Sequence, residues 1–245
     1  MRFFDCNVGF GQPPNAPATV LRTAEELVRE LDFCGVAEAL VHYTAIEHES
    51  AQAGNCLVVD ETADHARLHP TWAILPPQTH EFGTVHEFLA DMRRDGVRAL
   101  RAYPEEHRYL LNALTFGPLF EEIVPRRIPL MVGPHWAAIT QLLADFPDLT
   151  VVIVGHGDWG DDRYFRPLVA RYPRLHLDTS NYQTPDGIAD FVGQYGRERL
   201  IYGSGFPPFQ MGGALLTLAR ADISDEGKEA IAGESLRRLL REAAP

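Results

Sequence analysis

Three of the chain's ten histidines follow directly on short apolar runs: His42 in LVHY, His135 in LMVGPHW and His156 in VVIVGHGDWG. An imidazole at the end of a strand can hold a metal, take a proton from water or polarise a carbonyl. For each, a hydrogen-bonded structural histidine is the plainer alternative. Glycines beside His135 and His156 let the backbone approach a ligand closely, which favours a working role for these two over His42. Asp158 could cap the helix that follows it, orient His156 or act as a base. Arg101 offers an ion-pair partner to Asp5 or Glu105, or a fork that grips a substrate carboxylate with two parallel hydrogen bonds. Asn7, Tyr103, Ser180 and Ser204 end further apolar runs and join Arg101 and His42 as candidate substrate contacts. Cys6 has no basic neighbour in sequence that would make it a reactive thiolate, and it reads as a small buried residue. Asp178 reads as a residue that turns its strand into a loop.

Short apolar runs and amphipathic segments alternate along the whole chain and must position these groups. Strands are expected over 2–5, 39–43, 71–75, 97–102, 129–132, 150–154, 175–178 and 200–202. Helices are expected over 23–33, 50–65, 85–94, 116–123, 137–146, 164–171, 188–195, 215–221 and 225–241. Thr23, with Glu26 three residues on, has the form of a helix N-cap. The run TVVIV is apolar throughout, as a strand buried on both faces should be. Eight such βα units in 245 residues predict an α/β fold with a single (β/α)8 TIM-type barrel domain spanning 1–245. A doubly wound sheet uses the same alternation, but no GxGxxG follows the first strand. In a barrel of this kind the chemistry sits at the C-terminal ends of the strands. The proline-rich stretch from Gly11 to Pro17 then falls in the first βα loop, over the barrel mouth.

The net charge of −12 excludes a nucleic-acid partner on electrostatic grounds, since phosphate binding needs clustered Lys and Arg. Lys228 is the sole lysine. Cys6, Cys34 and Cys56 form no CxxC pair and suit a reducing compartment. No apolar run approaches the ~18 residues of a membrane span, and the first residues carry no signal pattern. The expectation is a cytoplasmic protein with a small-molecule substrate and no membrane partner.

The motifs FFDCNVGFG, VRALRAYP, PLMVGPHW, VVIVGHGDWGD, LHLDTSN, RLIYGSGFPPF and IAGESLRRLL, in this order, resemble the amidohydrolase superfamily. The similarity is to its amidohydrolase-related branch of decarboxylases and lactone or amide hydrolases. The resemblance implies a metal-dependent-hydrolase-like barrel, with a divalent metal held by an HxH pair on strand one, histidines on strands five and six, and an aspartate on strand eight. His135 and His156 match the strand-five and strand-six ligands. Asn7 and Gly9 stand at the HxH positions, and Gly205 stands where the strand-eight aspartate is usual. Two histidines fall short of the three protein ligands of a catalytic zinc, so no tightly bound metal is expected. If one divalent metal were held, His135 and His156 would be ligands, with Cys6 or Asp158 as a third. Metal-independent lactonases occur in the superfamily. The leading expectation is therefore a hydrolase of a small carboxylated lactone or ester. In it His135, His156 and Arg101 bind and polarise the substrate, and His156 or Asp158 activates water. The alternatives are a catalytically inactive barrel that binds ligands or partners, and a metal-dependent hydrolase or decarboxylase with a rearranged ligand set. The resemblance also implies a homodimer.

Overall fold

Apolar runs buried on both faces pair in chain order, each parallel to the next, and close on themselves as a barrel. The computed structural model describes residues 1–11, 20–157 and 160–245. Among these, the strands are β1 (Phe3–Phe10), β2 (Val36–Tyr43), β3 (Leu68–Pro70), β4 (Trp72–Ala73), β5 (Leu100–Ala102), β6 (Leu130–Val132), β7 (Val151–Ile153), β8 (Leu175–Asp178) and β9 (Leu200–Ile201). β1 pairs with β2 and β2 with β3, while β4 through β9 form an unbroken ladder. Closure comes from a parallel bridge between Val8 and Phe206, with Cys6 N donating to Tyr202 O at 3.0 Å and Gly9 N to Phe206 O at 2.8 Å. β3 and β4 are two halves of one barrel position, parted at Thr71, so eight positions remain, in agreement with the (β/α)8 expectation.

The break in the third position has a local cause. The chain after β2 turns away into helix α2 (Ala45–His48) and leaves Ala73 with no strand neighbour on that side. Asn55, on α3 (Ala51–Thr62), takes the place of a strand: its Nδ2 donates to Ala73 O at 3.1 Å and its Oδ1 accepts from Ala73 N at 2.8 Å. Sequence reading expected this strand over 71–75. It lies at 68–73, with Thr71 at the break between its two halves. The first strand, expected to stop at residue 5, continues to Phe10 because it pairs with β2 along its whole length, with a register shift between Asp5 and Val8. Such a bulge re-aims side chains. Here Cys6 joins the barrel interior while Asn7, next in sequence, reaches across the mouth.

The outer helices carry legible signals. Thr23 accepts from Glu26 N as cap of α1 (Ala24–Cys34), Thr84 and Glu87 form a capping box on α4 (Val85–Arg94), and Asn112 caps α5 (Ala113–Ile123). α6 (Trp136–Asp145), α7 (Asp162–Arg171), α8 (Gly187–Tyr195) and α9 (Met211–Arg220) continue the ring. α10 (Asp225–Glu229) runs through a π-helical turn, Ala230–Glu234, into α11 (Ser235–Glu242). Leu236, Leu239 and Leu240 of α11 cluster with Phe4, Cys6, Leu40, Met131, Val152 and Ile201 from the barrel interior. Arg98 Nη1 donates to Leu240 O at 3.0 Å and Arg237 Nη2 to Arg2 O at 3.2 Å. α11 thus plugs the end where strands begin, which leaves the opposite end for function. Among the described residues no helix is long and apolar enough to cross a membrane.

Asn55→Ala should lower the unfolding free energy by ~2–4 kcal/mol, because it leaves two buried backbone groups of Ala73 unpaired. Urea denaturation measures this. A loss below ~0.5 kcal/mol, the range of ordinary surface changes, would mean that the broken position is held some other way.

Candidate active site

The polar network at the strand ends begins with Arg101 on β5. Arg101 is only 3% exposed, and its guanidinium crosses to the third and first barrel positions. Nε donates to Thr71 Oγ1 at 2.9 Å, Nη1 to Asn7 Oδ1 at 3.1 Å and Nη2 to Cys6 O at 3.3 Å. Three of its five N–H groups are thereby engaged. Among the described residues, none of its partners is a carboxylate, and neither Asp5 nor Glu105 forms the ion pair that the sequence allowed.

Asn7 passes the interaction on. Its Oδ1 faces the guanidinium and its Nδ2 donates to Asp178 Oδ2 at 3.3 Å. The opposite amide orientation would set N–H against N–H and O against O, so the two charged neighbours fix it. Asp178 Oδ1 accepts from Gly155 N at 3.1 Å, from Ser180 N at 3.3 Å and from Ser180 Oγ at 2.9 Å. Burial pushes the Asp178 carboxyl up from its usual range, against the opposing pull of His156 and these hydrogen bonds. Asp5 Oδ1 accepts from Asn7 N at 3.0 Å and Ser204 N at 2.9 Å, while its Oδ2 is buried without a partner among the described residues. Burial raises the Asp5 carboxyl to about 7, opposed by the hydrogen bonds from Ser204 and Asn7.

The structure therefore joins Asn7, Arg101, Ser180 and Ser204 in one network, through Asp5, Asp178 and Thr71. Tyr103 directly follows β5, which carries Arg101, and His42 lies near the end of β2 opposite Gly9; Tyr103 N donates to Tyr109 OH at 2.8 Å, which fixes that loop. His135 stands just before α6. Its Nδ1 pairs with Glu105 Oε1 at 3.1 Å, and its Nε2 has no partner among the described residues. His156 is buried between the rings of Phe165 and Tyr182, both edge-on. Its Nδ1 faces Gly157 O at 3.0 Å and its Nε2 faces Asp178 O at 2.9 Å, so neither nitrogen is free. Asp158 and residues 12–17 of the proline-rich loop lie outside the described residues. Thr71 and Glu105 have roles the sequence did not point to: Thr71 opens the expected third strand with no reading as a site residue, and Glu105, expected as a partner of Arg101, pairs with His135 instead.

The positions that the family resemblance assigns to a metal are filled by other groups. A Cβ built on Gly9 would stand 2.9 Å from His42 Nε2, and one on Gly205 would stand 3.0 Å from both Phe209 Cδ2 and Ser180 Cβ. Gly205 also has φ +68°, a conformation an aspartate would adopt only with strain. Asn7 is held between two charged groups, and a guanidinium sits where a second cation would have to come. Among the described residues no three His, Cys, Asp or Glu side chains are grouped to hold a metal. These side chains do not make the family's metal site.

The profile of the amidohydrolase family matches residues 36–241, beginning at the first residue of β2. No curated protein matches the sequence. Among solved structures, an uncharacterised TIM-barrel protein from Bordetella bronchiseptica shares 19% identity over 99% of each chain, with a TM-score of 0.73. A putative 2-pyrone-4,6-dicarboxylic acid hydrolase from Pseudomonas putida shares 17% over 100% of this chain and 99% of its own, at 0.72. A dihydroxybenzoic acid decarboxylase from Polaromonas, with bound manganese and an inhibitor, shares 12% over 100% and 98%, at 0.74. At these identities the likeness is one of fold.

Two measurements follow from this geometry. An unfolded aspartate titrates near ~3.9 and Asp5 in the folded chain at about 7, so the folded state holds an extra proton between those values. Stability should fall as pH rises from about 4 to about 7, by at most ~4 kcal/mol from this group. Asp5→Asn keeps the accepting oxygen and should flatten that slope; an unchanged slope would refute the assignment to Asp5. Separately, Gly9→Ala should cost ~1–3 kcal/mol by overpacking against His42. Adding His42→Ala should recover most of the loss in melting temperature. A double variant no more stable than Gly9→Ala would place the clash elsewhere.

Proposed function

The chain belongs to the amidohydrolase family, and from that premise we propose that it hydrolyses a small carboxylated lactone or ester without a tightly bound metal. The observation that carries this reading is the buried Arg101 guanidinium, which has no carboxylate partner and two N–H groups left over among the described residues. A buried charge is costly unless it is paired. A substrate carboxylate would pair it in the fork geometry that guanidinium favours.

His135 is the base in this scheme. Glu105 fixes the ring through Nδ1, so the proton sits there and the Nε2 lone pair is free to take one from water. Water's oxygen bonds to the substrate carbonyl carbon, the C–O bond to the leaving oxygen breaks, and the proton on Nε2 passes to that oxygen. Glu105 steadies the imidazolium that forms between these steps. The role falls to His135, and not to His156, because both His156 nitrogens face backbone carbonyls. We assign His156 to positioning: it braces the backbone at Asp178, whose carboxylate holds Asn7 against Arg101. An ester or lactone carbonyl is reactive enough for a base and hydrogen bonds, whereas an unactivated amide would call for a Lewis acid. A carboxylated substrate agrees with the dicarboxylic acid and benzoic acid in the names of the two structural neighbours.

The test is a panel of carboxylated lactones and aryl esters, assayed with and without chelator, alongside elemental analysis of the purified protein. Turnover should survive chelation. Arg101→Met should raise KM by ~10–100-fold, the worth of a charged hydrogen-bonded pair, and Arg101→Lys should not restore it. His135→Ala should lower kcat by ~10²–10⁴-fold. Stoichiometric metal with chelator-sensitive turnover would replace this reading with a rearranged metal enzyme. No saturable hydrolysis across the panel would leave a barrel that binds without reacting.

A further inference from the structure

β2 lies beside β1 with His42 opposite Gly9. The imidazole extends into the volume that a side chain at position 9 would need: a Cβ there would meet Nε2 at 2.9 Å, Cε1 at 3.1 Å and Pro207 Cδ at 3.4 Å. An imidazole from the second barrel position thus occupies space that the resemblance gives to one from the first. The other ring nitrogen, Nδ1, is buried and has no hydrogen-bond partner among the described residues; the same holds for the hydroxyl of Tyr103. Both stand at the strand-end side of the barrel, His42 near the end of β2 opposite Gly9 and Tyr103 directly after β5, which carries Arg101. Burial, with Arg101 and His48 adding to it, holds the His42 imidazole well below its usual range, so the ring is neutral with one N–H and one lone pair. Burial raises the Tyr103 phenol to about 12, so it keeps its proton. The imidazole also interacts with the Val8 backbone and the phenol with Arg101, but at distances or angles short of a formed hydrogen bond to Nδ1 or OH, so two neutral groups with unused hydrogen-bonding capacity flank a cation that also has N–H groups to give.

We propose that His42 and Tyr103 form a subsite for an uncharged oxygen of the ligand, adjacent to the carboxylate held by Arg101, and that His42 thereby determines specificity. The proposal rests on the reading of Arg101 as a carboxylate holder and adds which carboxylates are preferred: those with a hydroxyl or carbonyl oxygen on the neighbouring carbon. Neutral partners suit a neutral oxygen, since a second anion in this lobe would meet no second cation among the groups named. A site that hydrogen-bonds such an oxygen rejects the analogue lacking it more strongly than an apolar pocket discriminates by size.

Calorimetric or NMR titration with propionate, lactate and pyruvate tests this without requiring turnover. Wild-type protein should bind lactate or pyruvate roughly tenfold more tightly than propionate, the factor one buried hydrogen bond carries. His42→Ala and Tyr103→Phe should bring that ratio close to one while leaving propionate binding within about threefold, the residual effect of lost packing. His42→Gln, which keeps a polar group and much of the volume, should retain part of the preference and covers the case in which the alanine variant fails to fold. A wild-type ratio near one overturns the subsite, as does a ratio unchanged in both His42→Gln and Tyr103→Phe; the two groups would then hold only water. Arg101→Met separates the two readings. If it binds propionate as wild type does, the carboxylate holder is refuted, whereas loss of propionate binding with no lactate preference in wild type refutes only the subsite.

Discussion

A guanidinium buried at the floor of a barrel mouth has to have its charge answered, and the way Arg101 is answered organises the surrounding structure. A carboxylate in direct contact would neutralise it and close the site. Instead Thr71, Asn7 and the carbonyl of Cys6 take three of its N–H groups, and the nearest carboxylate in the chain of hydrogen bonds, Asp178, is reached only through the Asn7 amide. The charge is stabilised without being cancelled. That arrangement dictates the amide orientation of Asn7, requires the bulge on β1 that presents it, and joins the first, third, fourth and seventh barrel positions across the mouth.

The same constraint explains how the site differs from the metal centres typical of its family. A divalent cation and a guanidinium cannot both sit beside Asn7 without strong mutual repulsion at low effective dielectric. The departures at Asn7, Gly9 and Gly205 are consistent with one another. His42 fills the space beside Gly9, Phe209 and Ser180 fill that beside Gly205, and His156 turns both nitrogens to backbone carbonyls. Side chains lost by drift alone would leave voids, which cost stability in a close-packed interior. Here the volumes are repacked, and the carboxyls of Asp5 and Asp178 remain buried near the cation, with burial raising both.

Function and stability are divided between the two ends of the barrel. At the strand starts, α11 inserts leucines beneath Phe4 and Ile201 and is fastened by Arg98, Arg237 and Glu38. At the strand ends, polar groups replace the apolar layers, and several of them lack partners: His42 Nδ1, Tyr103 OH and Asp5 Oδ2. Unpaired buried polar atoms are rare in folded proteins. Among the described residues Thr150, just before β7, and Ser235, on α11, also carry unpaired buried oxygens, so what sets the mouth apart is that its unpaired atoms accompany a buried cation with no carboxylate partner.

The alternation of apolar runs and amphipathic helices, with caps at Thr23 and in the Thr84–Glu87 box, was sufficient to read eight barrel positions and to place His42, Arg101, His135 and Ser204 at or just past the ends of strands, whereas Asn7, expected beyond a first strand ending at residue 5, lies within β1. These signals are local, carried by periodicity and by hydrogen bonds within a few residues, and so a linear reading recovers them. The roles of the side chains were decided elsewhere. That Arg101 pairs with an amide and not with Asp5 or Glu105 depends on a bulge in β1, and that bulge is visible only once β1 lies against β2. That Thr71 serves the site depends on Arg101, 30 residues on, reaching its hydroxyl, while Asn55 stands in for a strand beside Ala73. That His156 is enclosed while His135 is open depends on which carbonyls and rings the neighbouring loops bring within ~3–5 Å of each ring. Residue type and strand position set which groups reach the mouth of the barrel; contacts between residues 22 to 171 apart in the chain set which of them are free to act.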